Sequence, residues 1–567
     1  MNYRAAARAW HDEDPDPATR ALLATALADG DDARLDEWFG SRLEFGTAGM
    51  RGPIGPGPNR MNRALVRRVT AGLAAAIAET GHDGPVIVGF DGRRGSREFA
   101  ADTVAVLLGA GRRVLAYDDV VPTPELAHAV LALGAAAGVM VTASHNPPED
   151  NGYKVYASNG AQIVPPLDAA IAEAIERVGP LSQVRLGDPD AAEPVPTDIR
   201  RRYVEAVLAL RVHPEGSPIP TVYTAMHGVG SELLGVVFAA AGRERIPVPE
   251  QALPDADFPT VRFPNPEEPG ALDRALAVAR ARGAKLIIAN DPDADRLAVA
   301  LPDGAGWRQL TGNQVGCLLA EDLLAHGPRL DRRMVATTIV SSRMLRRIAA
   351  AHGADYAETL TGFKWIANAA IPYDAAGGRF VLGYEEALGY SAGPVVRDKD
   401  GISAALLLVD LASWLAISGR TLLDAWADLC RQHGLHHAGQ RSLAFGGVEG
   451  KAKMQAITAA LRSDPPREIG GLAVQRLRDL TKGTARDLRT GVESPIELPV
   501  SDVLGFDLAD GSTVLVRPSG TEPKIKLYFE VREPMGADDA LADVEARAAV
   551  RIERLAADLL ARVDPRT

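Results

Sequence analysis

Two rhythms of apolar and polar residues run along this chain. Short all-apolar runs such as Val86-Ile87-Val88-Gly89-Phe90 and Gly138-Val139-Met140-Val141 read as strands buried on both faces. Between them, Ser96 to Ala110 carries helical spacing, and Val114 to Tyr117 reads as another strand. Strands alternating with helices predict an α/β fold with a mixed or largely parallel sheet. The rhythm returns at Ile219 to Tyr223, at Ile287 to Asn290 with Leu297 to Ala300, and at Val335 to Val340. Near the C-terminus it changes. Thr513 to Val516 and Lys526 to Glu530 read as strands of a different unit, followed by a helix from about Ala537 to Arg562. The first 40 residues are Ala-rich with interspersed Asp and Glu, and read as a helical extension. The expected division is residues 1–210, 211–325, 326–445 and 446–567.

Composition agrees with four domains. A chain of 567 residues has room for several cores, and 46% hydrophobic with 24% charged residues is ordinary for globular proteins. The net charge of −12 argues against general nucleic-acid binding. Two cysteines, Cys317 and Cys430, are too few for a disulfide framework, which suits the cytoplasm. The N-terminal residues have no signal-peptide core. The most apolar stretch, Ala404 to Ile417, is short for a bilayer and is interrupted by Asp410, so no membrane span is expected.

The chemistry concentrates in two places. Asp291-Pro292-Asp293-Ala294-Asp295-Arg296 sets three acids at alternate positions between two apolar runs. Three packed carboxylates repel and call for a cation, and all-oxygen ligands favour Mg²⁺ or Ca²⁺. An EF-hand is excluded, because its sixth and twelfth positions would be Arg296 and Pro302. The second place is Thr142-Ala143-Ser144-His145-Asn146-Pro147, directly after an apolar run. A serine beside a carboxylate-held cation can take a phosphoryl group and return it. On an extended chain His145 would point away from Ser144, so it is read as a residue that positions groups rather than as a base on that serine. His227 reads as structural, and His433, His436 and His437 as a solvated helix end. Only 9 of the 62 basic residues are lysines, yet Lys154, Lys364, Lys399, Lys524 and Lys526 fall in or beside the motif loops. Lysine can lose its proton where arginine cannot, so Lys154, just after the Ser144 loop, draws attention as an acid/base.

Five motifs in order resemble those of the alpha-D-phosphohexomutase superfamily. They are Phe45-Gly46-Thr47-Ala48-Gly49-Met50-Arg51-Gly52, the Ser144 loop, the Asp291 loop, Gly383-Tyr384-Glu385-Glu386-Ala387-Leu388-Gly389-Tyr390, and Arg517-Pro518-Ser519-Gly520-Thr521-Glu522-Pro523-Lys524. The resemblance implies three topologically similar α/β domains and a smaller α+β C-terminal domain around a central cleft. It implies a phosphosugar mutase that works through phosphorylated Ser144 and a sugar bisphosphate, which serves as intermediate and activator. Mg²⁺ would sit on Ser144, Asp291, Asp293 and Asp295. Ser144, Lys154, His145 and Arg296 would be catalytic, with Lys154 taking the proton of the attacking hydroxyl.

Sugar and phosphate contacts would come from Arg51, Arg94, Lys364, Glu385, Glu386, Arg517, Ser519, Gly520 and Thr521. Glu386 is preferred over Glu385 as the sugar contact. The expected partners are sugar phosphates, with no nucleic acid and no membrane, and the protein is expected to be a monomer or homodimer. Many hexose-specific relatives carry Ser where this chain has Leu388. That leaves glucose or mannose phosphates as the first choice beside a phosphopentomutase, a bisphosphate synthase or a phosphatase. A non-enzymatic sugar-phosphate binding protein is the remaining reading, and the intact Ser144, Lys154 and aspartate set weighs against it.

Overall fold

The computed structural model describes residues 3–46, 49–446, 450–519 and 524–563. Its residues gather into two compact units, one of 1–315 with 387–418 and one of 316–386 with 419–567.

In the first unit, the N-terminal extension is three helices, Tyr3–Glu13, Pro17–Asp29 and Asp32–Phe39. The second starts where Asp16 accepts a hydrogen bond from Ala18 N at 2.8 Å, with Pro17 fixing the first turn. The helices close a small core of Ala7, Leu23, Ala26, Leu35, Trp38 and Phe39. Next comes a six-stranded sheet in the order Met50–Pro53, Asp150–Ala157, Ala137–Val141, Val86–Phe90, Val114–Ala116, Glu193–Pro194. Its last four strands are parallel and the first two antiparallel, so the mixed sheet expected from the sequence is present. Val86–Phe90 and Ala137–Val141 are buried at all five positions, as their unbroken apolar runs require.

A five-stranded sheet follows, with Leu286–Ala289 parallel to Thr221–Thr224 and antiparallel to Ala298–Asp303. The helix Gly401–Ile417 is apolar on nearly all sides and buried along most of its length. Its interruption, Asp410, is neutralised by Arg211 at 2.6 Å and Arg243 at 2.7 Å. A buried carboxylate persists only when paired in this way. No single helix among the described residues is long and apolar enough to cross a membrane.

In the second unit, Asp355–Thr359, Arg333–Thr338 and Arg379–Glu385 run parallel. A second sheet runs from Leu435–Ala444 through Lys524–Glu533, Thr513–Pro518 and Leu504–Leu508 to Leu472–Asp479, all antiparallel. The helix Leu541–Val563 buries Val544, Ala548, Ile552, Leu555 and Leu559, a stripe at three- and four-residue spacing. Within this unit Ile339, Val340 and Leu360 pack with Leu480, Val503, Leu515 and Tyr528. Arg343 bonds Asp507 at 2.9 Å and Arg478 bonds Glu358 at 3.2 Å.

The histidines near residue 435 are not a solvated helix end. His433 and His436 are buried, and His436 Nδ1 lies 2.7 Å from Glu530. His436 Nδ1 meets a carboxylate brought from 94 residues away, while the Nε2 atoms of His433 and His436 are buried without a hydrogen-bond partner among the described residues.

Candidate active site

The strand Ala137–Val141 ends at the Ser144 loop. Thr142 donates to Asp91 at 2.6 Å and accepts from Ser144 N at 2.8 Å. Ser144 has φ 53°, in the left-handed region, and is 2% exposed. Its hydroxyl donates to Asp291 Oδ2 at 2.7 Å and lies 3.2 Å from His145 Nδ1. The expectation that His145 faces away from Ser144 is therefore corrected. The chain turns back at Ser144 instead of extending, so the two neighbouring side chains converge. Burial, then Arg296 and Arg51, push His145 well below the usual histidine range, which leaves a neutral imidazole at the hydroxyl.

The acids come together on a turn between Leu286–Ala289 and Ala298–Asp303. Asp291, Asp293 and Asp295 are wholly buried, with ligand oxygens within 4.8 Å of one another. Ala294, at φ 60°, makes the turn tight rather than extended. Gly228 lies so close beneath it that a Cβ there would stand 2.3 Å from Pro292 Cα. Thr123 donates to Asp293 Oδ2 at 2.7 Å, and Asp291 Oδ1 accepts from Arg296 N at 2.9 Å. The Oδ1 atoms of Asp293 and Asp295 are buried and have no hydrogen-bond partner among the described residues. Such atoms, converging from three carboxylates, fit a hard divalent cation, and the group could bind a metal ion.

Lys154 reaches the same acids from the adjoining sheet. Its Nζ lies 2.6 Å from Asp293 Oδ2 and 2.9 Å from Asp295 Oδ2. Lys399 Nζ stands 3.2 Å from Asp295 Oδ2. Burial alone would lower the Lys154 pKa, but Asp293 and then Asp295 outweigh it and carry it up. In this arrangement the two carboxylates hold Lys154 in its protonated form. Burial would raise Asp293 and Asp295, and Lys154 brings both down. Asp291 goes well up through burial and the two neighbouring acids.

Arg51 lies opposite Gly152 on the neighbouring strand, and its charge reaches both His145 and Lys154. Arg296 pairs with Glu267 at 3.5 Å. Arg94 sends its guanidinium to the exposed carboxylate of Asp257, and only its carbonyl, bonded by Asn151, faces the loop. Its neighbour Arg93, together with Thr123 and Glu267, was not singled out from the sequence. Arg93 and Arg94 are indistinguishable by type, and only the backbone course after Phe90 decides which one turns inward. Leu388 lies just after the strand Arg379–Glu385. It is 2% exposed at φ 62°, and its carbonyl accepts from Leu297 N at 3.0 Å.

The second unit carries the remaining candidates. Glu385 accepts from Gly362 N at 2.7 Å, at the start of the helix that bears the buried Lys364. Glu386 accepts from Ser341 at 2.8 Å and is the more exposed of the two acids. Burial raises Tyr528, Glu386 adds to this, and Arg517, hydrogen-bonded to it, acts against it. Ser519 N donates to Lys524 O at 2.7 Å. Thr47, Ala48, Gly520 and Thr521 lie outside the described residues.

Four domains of one family match in succession. These are the phosphoglucomutase/phosphomannomutase alpha/beta/alpha domains I, II and III over residues 42–180, 201–304 and 311–432, and its C-terminal domain over 449–549. The chain belongs to the phosphoglucomutase/phosphomannomutase family. It is a phosphosugar mutase, an isomerase built on the four-domain phosphohexomutase architecture.

A probable phosphomannomutase of Haemophilus influenzae is 42% identical over 86% of this chain and 96% of its own length. A probable phosphoribomutase of Schizosaccharomyces pombe is 36% identical over 96% of each chain. A solved structure of a putative phosphomannomutase from Thermus thermophilus superposes with a TM-score of 0.68 at 25% identity, covering 91% of this chain and 99% of that one.

Proposed function

We propose that this enzyme interconverts the 1- and 6-phosphates of glucose or mannose by passing a phosphoryl group through Ser144. The observation that carries the reading is the Ser144 hydroxyl 2.7 Å from Asp291, at the edge of a carboxylate group that also holds Lys154. Mg²⁺, held by Asp291, Asp293, Asp295 and the phosphorylated Ser144, would neutralise phosphoryl charge. As the P–O bond to Ser144 breaks, Lys154 gives its proton to the serine oxygen. It takes the proton of the attacking sugar hydroxyl and ends as it began. The bond from phosphorus to the sugar oxygen forms at the same phosphorus, and the resulting bisphosphate turns over and returns its other phosphate to Ser144. The same bisphosphate, supplied from outside, first phosphorylates the enzyme.

Neutral His145 donates or accepts one hydrogen bond at the serine oxygen, and Arg51 and Arg296 add positive charge beside it. Glu385 and Glu386 offer acceptors to sugar hydroxyls. Arg517, Ser519, Gly520 and Thr521 would hold the phosphate that is not reacting, and Lys364 and Arg94 are further candidates for phosphate contacts. Guanidinium, hydroxyl and main-chain N–H donors suit a phosphate dianion. We place the protein in the cytoplasm, a reading supported by its two free cysteines, and as a monomer or homodimer.

Mass spectrometry of the intact protein after incubation with the sugar bisphosphate tests the core of the proposal. One added phosphate, absent in Ser144→Ala, is expected, and an unphosphorylated active enzyme would refute it. A second reading, conversion of ribose 1-phosphate to the 5-phosphate, is favoured by the phosphoribomutase name of the fission-yeast relative, which aligns over 96% of this chain. The kcat/KM values for glucose, mannose and ribose 1-phosphates decide between them.

A further inference from the structure

Arg93 is 4% exposed and reaches no reacting atom. Its guanidinium instead gathers four main-chain carbonyls of one loop. Nη2 donates to Ser144 O at 2.6 Å and Asn146 O at 2.7 Å, and Nη1 to Pro147 O at 2.7 Å and Asp150 O at 3.1 Å. The face of the guanidinium lies 5.1 Å from the ring centre of Phe258. Phe258 lies in the loop between Pro249–Gln251 and the helix Asp273–Arg282 and meets His227 edge-on at 6.5 Å. The next residue after His227, Gly228, is the one pressed against Pro292 in the aspartate turn, and Val229 N donates to Pro292 O at 2.8 Å. Gly92, on the other side of Arg93, sits so close to Pro254 that a Cβ would stand 2.8 Å away.

A continuous set of contacts therefore runs from the aspartate turn through His227 and Phe258 to Arg93, and from Arg93 to the carbonyl of Ser144. Its two ends are the two partners of the 2.7 Å contact between Ser144 and Asp291. Ser144 needs such support, because a non-glycine residue in the left-handed region stays there only when its surroundings hold it.

We infer that Arg93 is the positioning residue that sets the nucleophile loop against the aspartate turn, seated on the ring of Phe258. The inference rests on the reading of Ser144 as the phosphoryl carrier. Arginine is required for its planar fork, since the single ammonium of lysine cannot reach four carbonyls spread over residues 144–150. The role is one of orientation, so its loss acts on the chemical step. A misplacement of about 1 Å at a reacting group can cost on the order of a hundredfold in rate.

The test compares Arg93→Lys, Arg93→Met and Phe258→Leu with wild type. The readouts are kcat and KM for the sugar 1-phosphate, the rate of Ser144 phosphorylation by the sugar bisphosphate, and the thermal midpoint. Arg243→Met serves as the control. It removes a buried guanidinium that also clamps carbonyls, of His213 and Gly216, away from the site. The expected result is a fall in kcat and in phosphorylation rate of about a hundredfold for Arg93→Met. Arg93→Lys and Phe258→Leu should lose at least about tenfold, with KM within about threefold throughout. Arg243→Met should lose thermal stability while the folded enzyme keeps its kcat. If Arg93→Met does not fold, the other two variants carry the decision. Wild-type kcat in both of them overturns the inference, as does a loss confined to KM. A wild-type enzyme that takes no phosphate on Ser144 would instead overturn the reading beneath it, so the two failures are distinguishable.

Discussion

The ammonium of Lys154 lies 2.6 Å from the carboxylate of Asp293, and neither side chain is exposed to solvent. Each charge is tolerable there only because of the other. Lys154→Met should leave buried acids uncompensated and destabilise the protein by about 3–5 kcal/mol. Urea unfolding of Lys154→Met, Asp293→Asn and the double variant measures this. The double variant should be less destabilised than the two single losses added together, and simple additivity would mean the pair is not coupled.

Ser144→Ala removes the proposed phosphoryl carrier together with one hydrogen bond to Asp291. Activity should fall by far more than tenfold, while stability changes by no more than about 1–3 kcal/mol. More than a tenth of the wild-type rate in the variant, a barrier change below about 1.4 kcal/mol, would contradict the assignment.

Removal of divalent cations by EDTA should abolish turnover, and Mg²⁺ should restore it. Asp293→Asn should weaken both the rate and its dependence on Mg²⁺, because it replaces one of the three clustered carboxylates and a partner of Lys154. Activity that survives exhaustive chelation would mean that the aspartate group serves a structural purpose.

Arg517→Ala should raise KM for the sugar 1-phosphate and the 6-phosphate alike, leaving Ser144 phosphorylation intact. A charge-assisted contact of about 1.5–3 kcal/mol corresponds to roughly ten- to a hundredfold. An effect on one substrate only would contradict a shared phosphate clamp.

Stability should also depend on pH through His128. Its Nδ1 lies 3.0 Å from Val395 O, and burial holds its pKa below the ordinary 6.5 despite that contact. In the unfolded chain the same imidazole takes a proton near 6.5, so acid favours unfolding. The contribution is complete above pH 6.5 and is lost as pH falls from there through the folded-state value. Thermal midpoints of wild type and His128→Gln measured from about pH 7.5 to 5 should show a shallower decline in the variant. Parallel curves would exclude His128 as a source.

The sequence revealed most of what is encoded locally. The strands Val86–Phe90 and Ala137–Val141, the aspartate turn and Ser144 could all be read from short runs whose residue types restrict what they can do. What escaped depends on backbone turns and distant partners. His145 meets Ser144 because of one left-handed residue, which no periodicity announces. His436 is buried because Glu530 arrives from a strand 94 residues later. Which of Arg93 and Arg94 turns inward depends on the course of the short loop after Phe90. Lys154 could be picked out as ionisable chemistry, but the direction of its shift is set by acids 139 and 141 residues away.

The hydrogen bond from Ser144 to Asp291 joins residues 147 apart. This has a consequence for the protein as it is being made. A nascent chain carries its serine long before it carries the acids, so the first sheet can fold on the ribosome around a chemically idle hydroxyl. On the proposed reading, turnover waits until synthesis has passed Asp295 and also the later segments that carry Glu385 and Arg517. On that reading a fragment released before those segments are made is inert rather than miscatalysing.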